Sequence, residues 1–232
     1  LAQALPFEAQ RHLPFNMQDV VLDGAILGPA ESNKLWVLIV AGKRELLGRR
    51  IEWIKQAGLE PARVDVDALA VANAFLAQRD GEPRSSIPAL LNVGAEWTNL
   101  VLLKGHVPYL VRDIPWGATK LVRQVVEQTG LKEDVVASHL KQGTSIPPEV
   151  LQALKTACEA FTADIQLAFD FFENRFGSPP DQLVVSGGLA QSSVFLETLK
   201  SLVPQSLTSW APAPGLASQF TVAYGLALPM PI

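Results

Sequence analysis

Apolar residues along this chain fall either in short unbroken runs or at helical spacing, and the alternation of the two predicts a mixed α/β protein. Val20 to Leu27 reads as a strand, and the polar turn Gly28 to Asn33 has the length of a hairpin connection. Leu35 to Ala41 is apolar on both faces and reads as a central strand. Lys43 to Ala57 places Leu46, Leu47, Ile51 and Ile54 on one helical face, with Gly58 as cap and Pro61 just beyond. Leu1 to Leu13 reads as a helix interrupted by Pro6 and ended by Pro14-Phe15-Asn16, and Arg63 to Val66 as a short strand. The order helix, strand, strand, helix, strand makes residues 1–66 a small α+β unit. Asp67 is expected to cap a helix over residues 68–78 whose face is Leu69, Ala72, Ala74, Phe75 and Leu76. Arg79 to Ser86 is polar, contains Gly81 and Pro83, and reads as a linker at a domain boundary.

The chain then changes character. Ala89 to Val93, apolar apart from Asn92, stops at Gly94; Thr98 to Leu103 returns as a second strand; Lys104-Gly105-His106 turns, and Val107 to Val111 is a third strand. A glycine turn of this kind leaves backbone N–H groups without ladder partners, and a phosphate oxygen is a fitting acceptor for them. An ordinary β-hairpin fits the same residues equally well. After Asp113 to Gly117, helices are expected over residues 118–129 and 132–141, the first stopped by Gly130. The longest helix spans Glu149 to Phe176, where Val150, Leu154, Cys158, Phe161, Ile165, Phe169, Phe172 and Phe176 recur every three or four residues and form one broad face. Leu183 to Ser186 is a buried strand, Gly187-Gly188 a turn, and residues 189–202 a helix; Leu207 to Trp210 reads as a last strand and residues 217–228 as a helix of small residues. A strand that ends on two glycines and enters a helix offers bare backbone and a favourable dipole to an anionic ligand. Close packing of strand on helix demands the same small residues.

Composition narrows the function classes. The chain has 232 residues, 48% of them hydrophobic and 18% charged, enough for a substantial core. A net charge of -4 gives no basic footprint for nucleic acid. The single cysteine, Cys158, permits no internal disulfide, fits a reducing compartment, and lies on the apolar face of the long helix as a core residue. No apolar run is long enough to span a bilayer. His12, His106 and His139 lack metal-ligand spacing, and neither a Gly-x-Ser-x-Gly elbow nor a Walker loop is present.

The ordered set of pieces is more specific than any one of them. Glu8 to Phe15 followed by Asp19 to Asp23, Ala57-Gly58-Leu59-Glu60-Pro61 with Val64-Asp65-Val66, Asn92-Val93-Gly94-Ala95-Glu96 with the strand from Thr98, Phe171-Phe172, Ser186-Gly187-Gly188, and Phe220 to Leu228 together resemble the type IV pilus assembly protein PilM. The resemblance implies an actin-like (ribonuclease H-like) fold, partial, related to the division protein FtsA. It implies a 1C-like subdomain over residues 1–66, a connecting helix and linker over 67–86, a 2A-like second half over 87–131 and 178–217, a 2B-like helical insertion over 132–177, and a C-terminal helix over 218–232 returning toward the first half. The implied function is a cytoplasmic adaptor, peripheral to the inner membrane through its protein partners, that binds the N-terminal peptide of a PilN-like membrane protein and works beside other pilus platform proteins. ATP or ADP with Mg²⁺ is the implied ligand of the full-length protein. The nucleotide-facing residues are then Asn92, Gly94, Ala95, Glu96, Thr98, Lys141, Gly187, Gly188 and Leu189.

Three departures bear on chemistry. Asn92 stands where the family's phosphate turn carries an acidic residue that would hold Mg²⁺ through water. Ala137-Ser138-His139-Leu140-Lys141 has serine where actin-like proteins place a ribose-gripping glutamate. The chain begins at Leu1 inside a helix-like segment, which points to a fragment without the first half's sheet and phosphate loop. The helices at residues 68–78 and 217–228 would then expose apolar faces or self-associate through them. An active ATPase or sugar-kinase-like phosphotransferase, which needs a carboxylate base, and a type II secretion platform domain are the alternative readings. An FtsA-like membrane anchor is not expected, because Pro229-Met230-Pro231-Ile232 leaves no room for an amphipathic helix.

Overall fold

Seven strands and eight α-helices make up the computed structural model, which describes residues 5–14, 16–79, 86–143 and 145–228. Most of the expected linker, the closing Pro229 to Ile232, Leu1 to Ala4 and Phe15 lie outside the described residues. The chain divides into two units, Leu1–Val64 and Asp65–Ile232.

In the first unit, α1 (Leu5–Gln10) is followed by the antiparallel pair β1 (Val20–Pro29) and β2 (Leu35–Lys43), then α2 (Arg44–Gln56). Pro6 does not interrupt α1. It sits in the first turn, where a missing N–H costs nothing. The expectation of a central strand at Leu35 to Ala41 fails: among the described residues β2 pairs with β1 alone, and none of its residues is fully buried. An unbroken apolar run reports two covered faces, and here each cover is thin. Leu46 and Ile54, placed on the inner face of α2 from their spacing, are 50% and 40% exposed. Arg63 to Val66 forms no strand.

The second unit is built on a five-stranded sheet in the order β5-β4-β3-β6-β7. Its strands are β3 (Pro88–Val93), β4 (Thr98–Lys104), β5 (Val107–Ile114), β6 (Gln182–Gly187) and β7 (Ser206–Ser209). The β3–β4 and β4–β5 pairs are antiparallel, and β6 runs parallel to both β3 and β7. The parallel step from β5 back to β6 is filled by α4 (Ala118–Thr129), α5 (Glu133–Gln142) and α6 (Pro148–Phe176), and α7 (Ser193–Leu202) joins β6 to β7. One sheet face, carrying Ala89, Leu91, Val93, Leu100, Leu102, Leu183 and Val185, packs in one cluster with the apolar stripe of α6. On that stripe Trp116 stacks against Phe161, with ring centroids 3.9 Å apart.

The opposite face carries Leu90, Val101, Leu103 and Val184 and is covered by α3 (Asp67–Leu76) through Ala68, Val71, Ala72 and Phe75. Two covered faces explain why these strands read as unbroken apolar runs. They also correct two expectations. The helix α3 does not present an uncovered face: Ala68 and Ala70 through Phe75 are all buried. Asp67 is not its cap; Val66 holds that position and no side chain caps the helix. The last helix, α8 (Thr221–Ala227), follows a 3-10 turn at Ser218–Phe220 and meets α3 at Gly225. There a β-carbon would fall on the Ala70 carbonyl, 2.5 Å from its carbon, so the two backbones touch. Thr221 is buried as well, whereas Ala223, Leu226 and Ala227 are exposed.

Candidate functional site

The strands β3 and β6 end side by side, with Val93 opposite Gly187 in register. The two glycine corners, separated by more than ninety residues of chain, therefore share one end of the sheet. This is the carboxyl end of two adjacent parallel strands, the place where open α/β sheets bind ligands. Gly187 has φ +89°, and a β-carbon there would lie 2.7 Å from both the carbonyl carbon and the nitrogen of Val93. Only glycine fits both the angle and the space.

The first corner is a braced turn. The Gly94 N–H donates to the Trp97 carbonyl at 3.0 Å. The first N–H groups of α4, on Ala118 and Thr119, donate to the carbonyls of Gly94 and Ala95 at 3.0 and 2.9 Å. Thr98 Oγ1 donates to the Trp116 carbonyl at 2.7 Å, and Thr119 Oγ1 donates to the Glu96 carboxylate at 2.7 Å. Gly117 permits this, since a β-carbon there would sit 2.5 Å from the Ala95 carbonyl oxygen. The N-terminus of α4 is thus spent on the turn. Among the described residues the N–H groups of Ala95 and Glu96 find no protein acceptor.

The second corner differs from its expected form. No α-helix starts at Leu189. Gly188 to Gln191 form a 3-10 turn, Ser192 is extended, and its Oγ accepts the Phe195 N–H to cap α7. The α7 dipole therefore begins beyond the glycine pair. Gly188 and Leu189, first in the 3-10 turn, still have N–H groups without intrahelical partners. The Leu189 side chain is buried in the larger core, so it offers backbone only. Ser218 Oγ donates to the Gly187 carbonyl at 2.9 Å and ties the segment that enters α8 to this corner.

Behind the corners a row of polar side chains crosses four strands. Ser186 Oγ donates to Asn92 Oδ1 at 3.2 Å, Asn92 Nδ2 to Asn99 Oδ1 at 3.1 Å, and Asn99 Nδ2 to Asp113 Oδ1 at 2.8 Å. The register puts Asn92 opposite both Ser186 and Asn99, and Asn99 opposite Asp113. Ser186, Asn92 and Asn99 are buried, and Asp113 is exposed on the outer strand.

Of the residues expected at the site, Asn92, Gly94, Ala95, Glu96, Thr98, Gly187, Gly188 and Leu189 lie on these two corners or directly behind them. Lys141 is exposed on the last turn of α5, whose following Gly143 lies against Ser193 at the start of α7. Asn99, Asp113, Gly117 and Ser218 were not anticipated. Asn99 was within reach: a hairpin pairing Val93 with Thr98 pairs Asn92 with Asn99 by counting. The site can accept an anion through backbone N–H groups at both corners. Asn92 and Ser186 bring no charge that would attract Mg²⁺, and Glu96 is the carboxylate at the first corner. Cys158 lies elsewhere, in the core, where desolvation pushes its thiol up to about 12.

A family model for the type IV pilus assembly protein PilM matches residues 1–210. No curated protein sequence matches the chain. Among solved structures, a chain of a PilM-PilN type IV pilus biogenesis complex is similar at 24% identity and TM-score 0.82, covering 97% of this chain and 70% of that one. The ethanolamine utilization protein EutJ from Carboxydothermus hydrogenoformans is similar at 17% identity and TM-score 0.55, over 75% of this chain and 57% of its own. An archaeal actin homolog is similar at 16% identity and TM-score 0.51, over 83% of this chain and 59% of its own. These likenesses establish an actin-like fold.

Proposed function

This chain belongs to the PilM family of type IV pilus assembly proteins, and from that premise we propose that it is a cytoplasmic adaptor of the inner-membrane assembly platform that docks the N-terminal peptide of a PilN-like protein. The observation that carries this reading is the family match over residues 1–210. A solved neighbour, matched over 97% of this chain, is a PilM-PilN complex, which supports a PilN-like partner. No helix among the described residues is long and apolar enough to cross a membrane. In this reading residues 1–66 are the 1C-like subdomain, residues 87–131 and 178–217 the 2A-like half and residues 132–177 the 2B-like insertion. An extended peptide would be captured by main-chain pairing plus side-chain pockets. Titrating the N-terminal peptide of a PilN-like protein against this one by calorimetry tests the reading. Saturable binding is expected, and none at tens of micromolar would refute it.

The two glycine corners supply the second part of the proposal, a degenerate nucleotide cleft. The N–H groups of Ala95, Glu96, Gly188 and Leu189 would hold the phosphates of ATP or ADP. No carboxylate stands at position 92 to hold a hydrated Mg²⁺, which favours binding without hydrolysis over a phosphotransferase.

A further inference from the structure

The polar row Ser186–Asn92–Asn99–Asp113 has a direction, and one residue sets it. A carboxylate can only accept, so Asn99 must turn its amide nitrogen toward Asp113. That leaves the Asn99 oxygen facing Asn92, so Asn92 must donate in turn. The Asn92 oxygen then faces β6, where the Ser186 hydroxyl donates to it. Each assignment follows from the donor and acceptor inventory of its neighbour, starting from the single group that has no choice.

We propose that Asp113 is a positioning residue: acting through Asn99, it fixes the side-chain orientation of Asn92 at the glycine corners, and the row accommodates a single carboxylate. The consequence is specific. An aspartate at position 92 would meet the Asn99 oxygen, acceptor against acceptor. Rotating Asn99 would turn its oxygen onto Asp113 instead. With carboxylates at both 92 and 113 the row is satisfied only if the exposed Asp113 gives up Asn99 and turns to solvent, because positions 92 and 99 are buried and must satisfy each other. With asparagine at position 113 the conflict disappears. The amide introduced by D113N can donate to Asn99, Asn99 can donate to an aspartate at 92, and Ser186 still donates there. A carboxylate at position 92 is therefore at odds with the one two strands away at position 113. The inference deepens the degenerate-cleft reading, but its test involves no nucleotide, so a chain that binds none still decides it.

The test is a double-mutant cycle of N92D and D113N read by thermal melting, with the side-chain amides of the asparagines followed by NMR after selective ¹⁵N labelling. N92D alone is expected to lower the melting temperature by roughly 3–8 °C. D113N alone should change it little, because the new amide oxygen can still accept from Asn99. The double variant should return to within about 2 °C of the parent, a rescue that a merely local packing defect at 92 would not show. In D113N the Asn92 amide pair, two strands from the substitution, should broaden or double as both directions of the row become open. If N92D does not fold in the parent background, folding of N92D/D113N carries the same conclusion. Additive losses, an N92D variant as stable as the parent, or an Asn92 signal unmoved by D113N would each overturn the proposal.

Discussion

Replacing Gly225 with alanine tests the packing that closes the second unit. Seven residues are too few for α8 to persist alone, so it depends on contact with α3. That contact is backbone on backbone: a β-carbon at 225 would lie 2.5 Å from the Ala70 carbonyl carbon and 3.0 Å from its α-carbon. Unstrained carbon pairs sit at about 3.5–4.0 Å, so α8 must retreat by about 1 Å or tilt. Overpacking of this kind costs about 1–3 kcal/mol, and the upper end applies because neither backbone can rotate out of the way. Alanine returns about 0.5–1 kcal/mol through its better helix propensity. The net loss is about 2 kcal/mol, or roughly 4–8 °C in melting temperature for a chain of this size. Calorimetric melts of G225A against the parent measure it. G188A is the control, because nothing lies within 4 Å of a β-carbon there. Hydrogen exchange should show α8 opening first, together with the Ser218 hydroxyl bond to the Gly187 carbonyl, since both belong to one short segment. A G225A protein that melts at or above the parent temperature would mean that α8 does not rest on α3 in solution.

Two further outcomes follow from single positions. G187A meets both a left-handed backbone and the Val93 main chain 2.7 Å away, and should lose about 2–4 kcal/mol in denaturant melts together with any nucleotide binding at the corner; a neutral result would contradict the side-by-side placement of β3 and β6. The Cys158 thiol, raised from 9.0 to about 12 by burial, keeps its proton in the folded chain while the unfolded chain loses it above about pH 9. Its contribution is whole below pH 9 and falls toward pH 12 by about 1.4 kcal/mol per unit, so between pH 8.5 and 10.5 the parent should lose roughly 2 kcal/mol more stability than C158A, and equal losses would refute the burial.

The sequence was readable where one physical signal dominated. The stripe from Val150 to Phe172 is buried as its spacing required, because a long helix on a sheet averages many contacts into one face. The β3 and β6 strands read correctly because covering on both faces leaves an unbroken apolar run. The same signal misled at Leu35 to Ala41, where the run lies in a hairpin with only partial cover. The start of α7 was misplaced because a 3-10 turn and an α-helix share residue preferences, and Ser192 decides between them through a hydrogen bond that spacing does not display. Lys141 joined the expected site from a motif resemblance, which spacing along the chain could not supply, and it lies exposed on the last turn of α5.

The amino-acid order alone determined that two strands end on glycines and that a mostly apolar chain folds around them, because backbone freedom and burial are local properties of residue type. It could not determine that Val93 and Gly187 would be neighbours, since strand pairing joins residues remote in the chain and depends on every crossover between them. Nor could it show that Asn92, Asn99, Ser186 and Asp113 form one directed row. Register places those side chains opposite one another, and only then does a carboxylate on the outer strand dictate which way an amide at the centre must face.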